Sequence, residues 1–120
     1  MKPKIDATQF GSITIEGETF DHDVLIRPDG TVKKRRKQLS QAIYGTSHTI
    51  SRDEAEHIFK DPADQLIVGT GQTGRVRLSD EAADFFKQHH CKVILLPTPE
   101  AIERWNTEEG RAIGLFHVTC

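Results

Sequence analysis

A short apolar run followed by a glycine-rich loop, within Asp64–Gly74, most constrains the fold of this chain. The run Gln65–Val68 is too short for a helix and glycine ends it, which is typical of a buried strand. Two helical patterns alternate after it with two further apolar strands, Lys92–Leu96 and Ala112–Val118. The order strand–helix–strand–helix–strand predicts a Rossmann-like parallel half with helical crossovers. Because ligands of such sheets lie beyond the carboxyl ends of the strands, we expect any site near this loop.

The first third of the chain predicts an antiparallel β part over residues 1–37. Phe10–Ile15 and Glu18–Phe20 flank a glycine turn, which is typical of a hairpin. Val24–Ile26 is a third short strand, and a Pro-Asp-Gly turn separates it from a polar strand over Thr31–Lys37.

Helices and parallel strands are expected over residues 51–120. Ser51, Ser79 and Thr98 each stand where a side chain can cap the first turn of a helix. Together these patterns predict one α/β domain over residues 1–120.

Composition narrows the class of protein. The chain has 120 residues, of which 36% are hydrophobic and 28% charged, as in an ordinary globular domain. A formal net charge of -2 gives no general attraction to nucleic acid or to an anionic membrane. We expect a cytoplasmic protein that does not associate with a membrane. The chain has only two cysteines, shows no apolar leader, and has no run of the about 20 apolar residues that span a bilayer.

The loop Gly69–Gly74 matches the G-x-G-x-x-G pattern of dinucleotide-binding proteins. That mechanism needs a helix that opens directly from the loop, whereas four residues precede the Ser79 cap here. We therefore predict no cofactor, and attribute the glycines to the backbone of a tight loop. Candidate ligand-binding residues at this edge are Gly69, Thr70, Gly71 and Thr98.

Five consecutive basic residues, Lys33–Lys37, suggest either phosphate binding or a charged sheet edge. No aromatic residue is interleaved for base stacking, which disfavours nucleic acid. We expect a solvated edge or a protein-contact face, and name Arg35 and Arg36 as candidate partner contacts.

Histidine and cysteine residues invite a zinc or a catalytic hypothesis. His89–Cys91 precede a strand and His117–Cys120 end its parallel companion, so roughly 15 Å separates the two groups, and we predict no metal site. As a catalytic alternative, Cys120, His117 and His48 could meet near the loop amides and form an activated thiolate. The segment Asp21–Asp23 is more simply interpreted as a hydrogen-bonded turn.

Five segments together resemble a known family, in this order along nearly the whole chain: Phe20–Asp23, Gly45–His48, Leu66–Gly71, Leu96–Thr98 and Phe116–Cys120. The chain is similar to the small domain-of-unknown-function family that includes the mammalian adipogenesis-associated domain protein and, more distantly, mitochondrial NADH dehydrogenase (complex I) assembly factor 3. The resemblance implies a three-layer α/β fold with a mixed central sheet. It also implies no established enzyme activity, and regulatory or assembly roles through protein contacts.

We therefore expect a non-enzymatic domain that acts through an unidentified protein partner, with a homodimer as one form of association. The alternative is a small-ligand-binding or hydrolase-like enzyme with a pocket at Gly69–Gly74 and the C-terminal His-x-Thr-Cys.

Overall fold

Residues 2–120 are described in a computed structural model, and they form ten strands and four helices. In chain order these are β1 (Ile5–Gln9), β2 (Ser12–Ile15), β3 (Glu18–Phe20), β4 (Val24–Ile26), β5 (Val32–Lys34), α1 (Gln38–Tyr44), β6 (Thr49–Ile50), α2 (Arg52–Ile58), β7 (Gln65–Gly69), β8 (Arg77–Leu78), α3 (Asp80–Gln88), β9 (Lys92–Leu96), α4 (Thr98–Thr107) and β10 (Ala112–Phe116). Within residues 2–120, none of the helices has the length and apolar character needed to cross a bilayer.

The central sheet has five strands in the order β5-β4-β10-β7-β9. β7 pairs in parallel with both β10 and β9, and the register aligns Gly69 with Phe116 on one side and Leu96 on the other. Helices α3 and α4 connect these three strands, so the predicted strand–helix–strand–helix–strand order is confirmed. The carboxyl ends of all three strands therefore meet at one edge of the sheet.

The N-terminal strands divide between two sheets. β1, β2 and β3 form a separate antiparallel sheet, and the predicted hairpin turn lies between β2 and β3. β4 and β5 instead extend the central sheet, because β4 pairs antiparallel with β10. All three residues of β4 are buried, which suits a strand with neighbours on both sides. The central sheet is therefore mixed, as the fold class predicts.

Apolar side chains cover both faces of the central sheet and produce three layers. On one face Val68 of β7 packs in a cluster with Phe86 of α3. On the other face Ile67 packs in a cluster with Trp105 of α4 and with Ile13 of the three-stranded sheet. The predicted three-layer α/β fold is confirmed.

The helix starts follow the sequence patterns in two cases out of three. The side chains of Ser51 and Ser79 cap α2 and α3 by accepting backbone N–H groups, as predicted. The predicted Thr98 cap is wrong, because α4 includes Thr98 and follows Pro97, and the Thr98 hydroxyl bonds to groups outside the helix. Helix α1 and the short parallel pair β6–β8 carry no clear sequence pattern and were not predicted.

Candidate functional site

The C-terminal tail, defined as His117–Cys120, lies over the glycine loop at the carboxyl edge of the sheet. The N–H of Gln72 donates to the Thr119 carbonyl at 2.7 Å, and the N–H of Arg75 donates to the Cys120 carbonyl at 3.3 Å. The hydroxyl of Thr73 donates to the same Cys120 carbonyl at 3.1 Å. The loop therefore supports the tail through its own hydrogen-bonding groups.

The candidate ligand-binding residues of the loop are engaged in the same support. The N–H of Thr70 donates to the Leu96 carbonyl, and the N–H of Gly71 donates to the Thr98 hydroxyl at 2.9 Å. Thr98 in turn donates to the His117 carbonyl at 2.7 Å. A Cβ added to Gly69 would lie 2.9 Å from the Thr98 hydroxyl, so close packing accounts for this glycine. These contacts occupy the amide groups that a bound phosphate would need.

Arg35 is the centre of a buried ionic cluster, the Arg35 cluster, with Asp23 and Glu54. Its Nη1 lies 2.9 Å from Asp23 Oδ2, and its Nε and Nη2 lie 2.7 and 3.0 Å from the two Glu54 carboxylate oxygens. Nη2 also donates to the Ser47 carbonyl at 2.8 Å. Burial lowers the pKa of Arg35, but the two carboxylates outweigh it and hold that pKa above the ordinary value.

The position of Arg35 differs from the solvated edge that the basic run indicates. Arg35 is only 3% exposed, whereas the other four basic side chains of the run are exposed. The N–H of Arg35 donates to the Asp23 carbonyl at 3.0 Å, which extends the β4–β5 pairing by one residue beyond β5. The Arg35 side chain bonds to the buried carboxylates of Asp23 and Glu54. Of the two arginines predicted to contact a partner, Arg36 is exposed and Arg35 is buried, so the prediction for the Arg35 side chain is wrong.

Glu54 reaches the cluster because of where helix α2 begins. Its backbone N–H is capped by the Ser51 hydroxyl at 3.1 Å. Its carboxylate turns away from the cap and accepts from the Ser40 hydroxyl at 2.6 Å as well as from Arg35. Glu54 is fully buried, and these partners satisfy a charge that would otherwise destabilise the fold.

Asp23, His117 and Thr119 form a hydrogen-bonded triad above the Arg35 cluster. Asp23 Oδ2 lies 2.7 Å from His117 Nδ1, and His117 Nε2 lies 3.1 Å from Thr119 Oγ1. The second Asp23 oxygen accepts from the N–H of Val118 at 2.9 Å. An ionised Asp23 accepts a hydrogen bond from Nδ1–H, which leaves Nε2 with a lone pair to accept the Thr119 hydroxyl.

Asp23 is held in its ionised form by the groups around it. Burial acts to raise the pKa of Asp23, but the hydrogen bond from His117, the charge of His117 when it is protonated, the Val118 N–H and the charge of Arg35 outweigh burial. The pKa of Asp23 is therefore lowered from its ordinary value. This is the electrostatic condition under which a carboxylate orients an imidazole.

The structure brings together the residues of the catalytic alternative: His48, His117 and Cys120. The rings of His48 and His117 lie 5.5 Å apart in an edge-to-face arrangement, and His48 Nε2 lies 3.9 Å from Cys120 Sγ. Burial, the charge of His117 when it is protonated, and the charge of Arg75 lower the pKa of His48. Cys91 lies elsewhere in the core, and burial raises the pKa of its thiol to about 11.

A cleft of about 370 Å³ opens over the triad. It is lined by residues of four chain segments: Asp21, His22 and Asp23; Lys34, Arg35, Lys37 and Gln38; Ser47 and His48; and His117, Val118 and Thr119. The cleft has the size of a small-molecule site, and most of its lining residues are polar or charged. Among residues 2–120, no cluster of three or more His, Cys, Asp or Glu side chains is arranged to hold a metal ion.

Sequence reasoning missed the acid and the hydroxyl of the triad. The sequence places Asp23 in a polar turn and Thr119 as a spacer between His117 and Cys120. Asp23 and His117 are separated by 94 positions, so no local spacing connects them. The one sequence-based indication was the prediction that the parallel strands end at the same sheet edge, which puts Thr119 near the glycine loop.

Comparison with known proteins identifies the family. The chain belongs to the family described as a protein of unknown function (DUF498/DUF598), which matches residues 5–117. It is 35% identical to the conserved hypothetical protein PH1505 from Pyrococcus horikoshii OT3, with a TM-score of 0.91 over 98% of this chain and 99% of that one. It is 32% identical to the protein MT938, with a TM-score of 0.82 over 99% and 100% of the two chains.

A more distant likeness concerns the fold alone. A Bordetella pertussis protein described as an Mth938-like domain is 17% identical, with a TM-score of 0.65 over 97% of this chain and 85% of that one. The predicted membership in a domain-of-unknown-function family is thus confirmed, while the likeness to particular eukaryotic members stays a prediction.

Replacing Asp23 tests the energetic importance of the cluster. We expect Asp23→Asn to lower the free energy of unfolding by about 3–5 kcal/mol at pH 7, because Arg35 loses one of its buried counter-charges. The pKa of Asp23 is lower in the folded protein than its ordinary value of 3.8. The contribution of Asp23 to the free energy of unfolding is therefore complete above pH 3.8 and is lost as the pH falls through the pKa of the folded protein. The difference in the free energy of unfolding between the unaltered chain and Asp23→Asn, measured by urea unfolding, should therefore become smaller below about pH 4.

Asp21→Asn is the matched control for this measurement. Asp21 is an exposed neighbour on the same turn, and its replacement should change the free energy of unfolding by less than about 0.5 kcal/mol. Equal effects of the two substitutions would contradict the assignment of Asp23 to a buried cluster.

Replacing Gly71 tests the close contact between loop and tail. Gly71 has a φ of 108°, and a Cβ there would overlap the Cys120 carbonyl and lie 2.9 Å from His117 Cδ2. We expect Gly71→Ala to lower the free energy of unfolding by about 1–3 kcal/mol more than Gly11→Ala, since only Gly71 adds a clash to the backbone strain. Nothing lies within 4 Å of a Cβ at Gly11, so equal losses in urea unfolding would contradict this packing.

Proposed function

We propose that this domain is a small hydrolase-like enzyme that acts on an acyl ester bound in the cleft over the triad. The observation that carries the proposal is the hydrogen-bonded order Asp23–His117–Thr119, with distances of 2.7 and 3.1 Å. An acid, an imidazole and a hydroxyl in this order are the groups that acyl transfer requires, whatever the fold that carries them. The cleft of about 370 Å³ suits a small substrate rather than a folded protein.

The groups of the triad take separate roles in the proposed reaction. Thr119 Oγ1 attacks the carbonyl carbon of the ester while its proton passes to His117 Nε2. The bond from that carbon to the leaving oxygen then breaks, and the leaving alcohol takes the proton from Nε2. Water attacks the acyl-threonine with the same imidazole as base, which releases the carboxylic acid and restores the Thr119 hydroxyl.

Asp23 and the Arg35 cluster supply the rigid support that such a step needs. Asp23 remains ionised, fixes the Nδ1–H tautomer of His117 and stabilises the imidazolium formed during transfer. Its second oxygen is fixed by the Val118 N–H, and Arg35 prevents the carboxylate from rotating away from the imidazole. Because Asp23, His117 and Arg35 are already held in this arrangement, little reorganisation is needed during the reaction.

In this proposal His48 polarises the substrate carbonyl. Its ring stands 5.5 Å from that of His117 at the edge of the cleft, and its lowered pKa favours the neutral imidazole near pH 7. A neutral imidazole donates a hydrogen bond without competing for the proton that His117 carries.

The test is hydrolysis of p-nitrophenyl acetate by Thr119 variants. We expect Thr119→Ala to lower kcat/KM at least about 100-fold, because the nucleophile is removed, and Thr119→Ser to retain activity, because the hydroxyl is restored. Thr107→Ala is the matched control, since Thr107 is an exposed threonine at the end of α4 and its hydroxyl bonds only within that helix. Mass spectrometry of the quenched reaction should find the acetyl group on Thr119.

Two outcomes would contradict this assignment. Thr119→Ala with unchanged kcat/KM would exclude Thr119 as the nucleophile. Loss of activity in Cys120→Ser, with the acetyl group of the unaltered chain on that cysteine, would support the thiolate alternative built on Cys120 and His48.

A second candidate function is association with an acidic protein partner through the exposed part of the basic run. Lys33, Lys34, Arg36 and Lys37 are exposed on or beside β5, which is an edge strand of the central sheet. A cluster of like charges on one edge favours a partner of opposite charge. The regulatory or assembly roles that the family resemblance implies, through protein contacts, support the same candidate.

Charge reversal at this edge tests the second candidate with poly-L-glutamate as the probe. We expect Arg36→Glu to weaken binding measured by fluorescence anisotropy and to reduce its dependence on salt, since one of the attracting charges is inverted. Lys87→Glu, on the distant helix α3, is the control and should leave binding unchanged. Equal affinity of all three proteins, or no binding by the unaltered chain, would contradict this candidate.

A further inference from the structure

The central sheet ends in two edges of opposite character. At one edge, β5 carries the exposed residues Lys33 and Lys34, and such lysines prevent strands of other chains from pairing with it. At the other edge, β9 reads Lys92-Val93-Ile94-Leu95-Leu96, with one charge at its first position and no proline. Within residues 2–120, no further strand pairs with β9. Only the β9 edge therefore lacks the usual protection against pairing.

The outward-facing backbone groups of β9 follow from its pairing with β7. The N–H of Lys92 donates to the Asp64 carbonyl and the carbonyl of Leu96 accepts from the Thr70 N–H, so both residues bond towards β7. Because hydrogen bonding alternates along a parallel strand, the N–H and C=O groups of Val93 and Leu95 point away from the sheet. These two residues present two donors and two acceptors to a further strand.

The side chains of β9 add an apolar surface to this edge. Val93 packs partly against the core on the α3 face of the sheet. Leu95 points to the same face, since side chains alternate along a strand, and it is 42% exposed. An exposed leucine next to unpaired strand groups is the combination that added strands bind.

We propose that β9 pairs antiparallel with β9 of a second copy of this chain, which joins the two central sheets into one of ten strands. The two-fold register sets Val93 against the partner's Leu95, and Leu95 against the partner's Val93. Directly opposite residues at outward-facing positions exchange both N–H···O=C bonds, so this register uses all four donors and all four acceptors of the two strands.

The self-complementary chemistry of β9 selects a second copy as the occupant. In the two-fold register the single charge, Lys92, faces the partner's Leu96 and never another lysine, so no like charges oppose each other. Each Leu95 lies beside the partner's Val93 on the same face of the joined sheet, which covers the exposed part of both leucines. Such an interface is isologous, and its two-fold symmetry closes the assembly at a dimer.

The proposed dimer is independent of the proposed hydrolysis. In the strand order, β7 separates β9 from β10, which carries the tail and the triad. The cleft residues named above include none from β9, so pairing leaves the cleft open.

Sedimentation equilibrium across a range of micromolar concentrations tests the proposal. We expect the unaltered chain to reach a mass of twice 13.5 kDa, and Leu95→Lys to raise the dimer dissociation constant at least tenfold, about 1.4 kcal/mol or more. Phe10→Lys is the matched control, because Phe10 is 69% exposed in the turn between β1 and β2 of the separate sheet, and this variant should dimerise like the unaltered chain.

Amide hydrogen exchange of the unaltered chain provides a second measurement that needs no substitution. The amides of Val93 and Leu95 should become protected as the concentration rises, while the exposed edge of β5 does not. A monomer at all concentrations, or a dimer in which the Val93 and Leu95 amides exchange as fast as in the dilute protein, would overturn the proposal.

Discussion

The buried guanidinium of Arg35 is the interaction on which the site depends. A charge that is 3% exposed is stable only with its counter-charges in place, and here Asp23 and Glu54 supply them from just before β4 and from the first turn of α2. Five N–H donors in a planar fork suit two carboxylates and a carbonyl at once, which a lysine could not match. The segments that hold these groups are thereby fixed relative to one another before any ligand is present.

The geometry of the tail follows from that constraint. The Asp23 carboxylate is bound by Arg35 and also accepts hydrogen bonds from His117 Nδ1–H and from the Val118 N–H. The tail is therefore attached at two successive residues. The glycine loop supports the tail from the opposite side through its amides. A sequence motif that suggests phosphate binding thus serves here to hold a piece of the protein's own chain. Close packing requires glycine at Gly69 and Gly71, and a positive φ of 71° favours it at Gly74.

The fold was largely predictable from the sequence, because its signals are local. The apolar runs of β7, β9 and β10, and the caps at Ser51 and Ser79, depend on residues a few positions apart. The site was predictable only in part. His48, His117 and Cys120 were named from residue type and the expected common edge, but Arg35 was placed among exposed lysines, since nothing in the run Lys33–Lys37 distinguishes it. Its burial is decided by carboxylates 12 and 19 positions away.

The most direct test of this arrangement is the tautomer of His117, measured by ¹⁵N–¹H correlation spectroscopy of the imidazoles at about pH 8, where an unperturbed histidine is neutral. We predict a proton on Nδ1, donated to Asp23, and a bare Nε2 that accepts the Thr119 hydroxyl. The Nδ1–H signal should vanish in Asp23→Asn or shift strongly. A proton on Nε2 with a bare Nδ1 would contradict the arrangement, because the imidazole could then neither bond to the carboxylate nor accept the proton of Thr119.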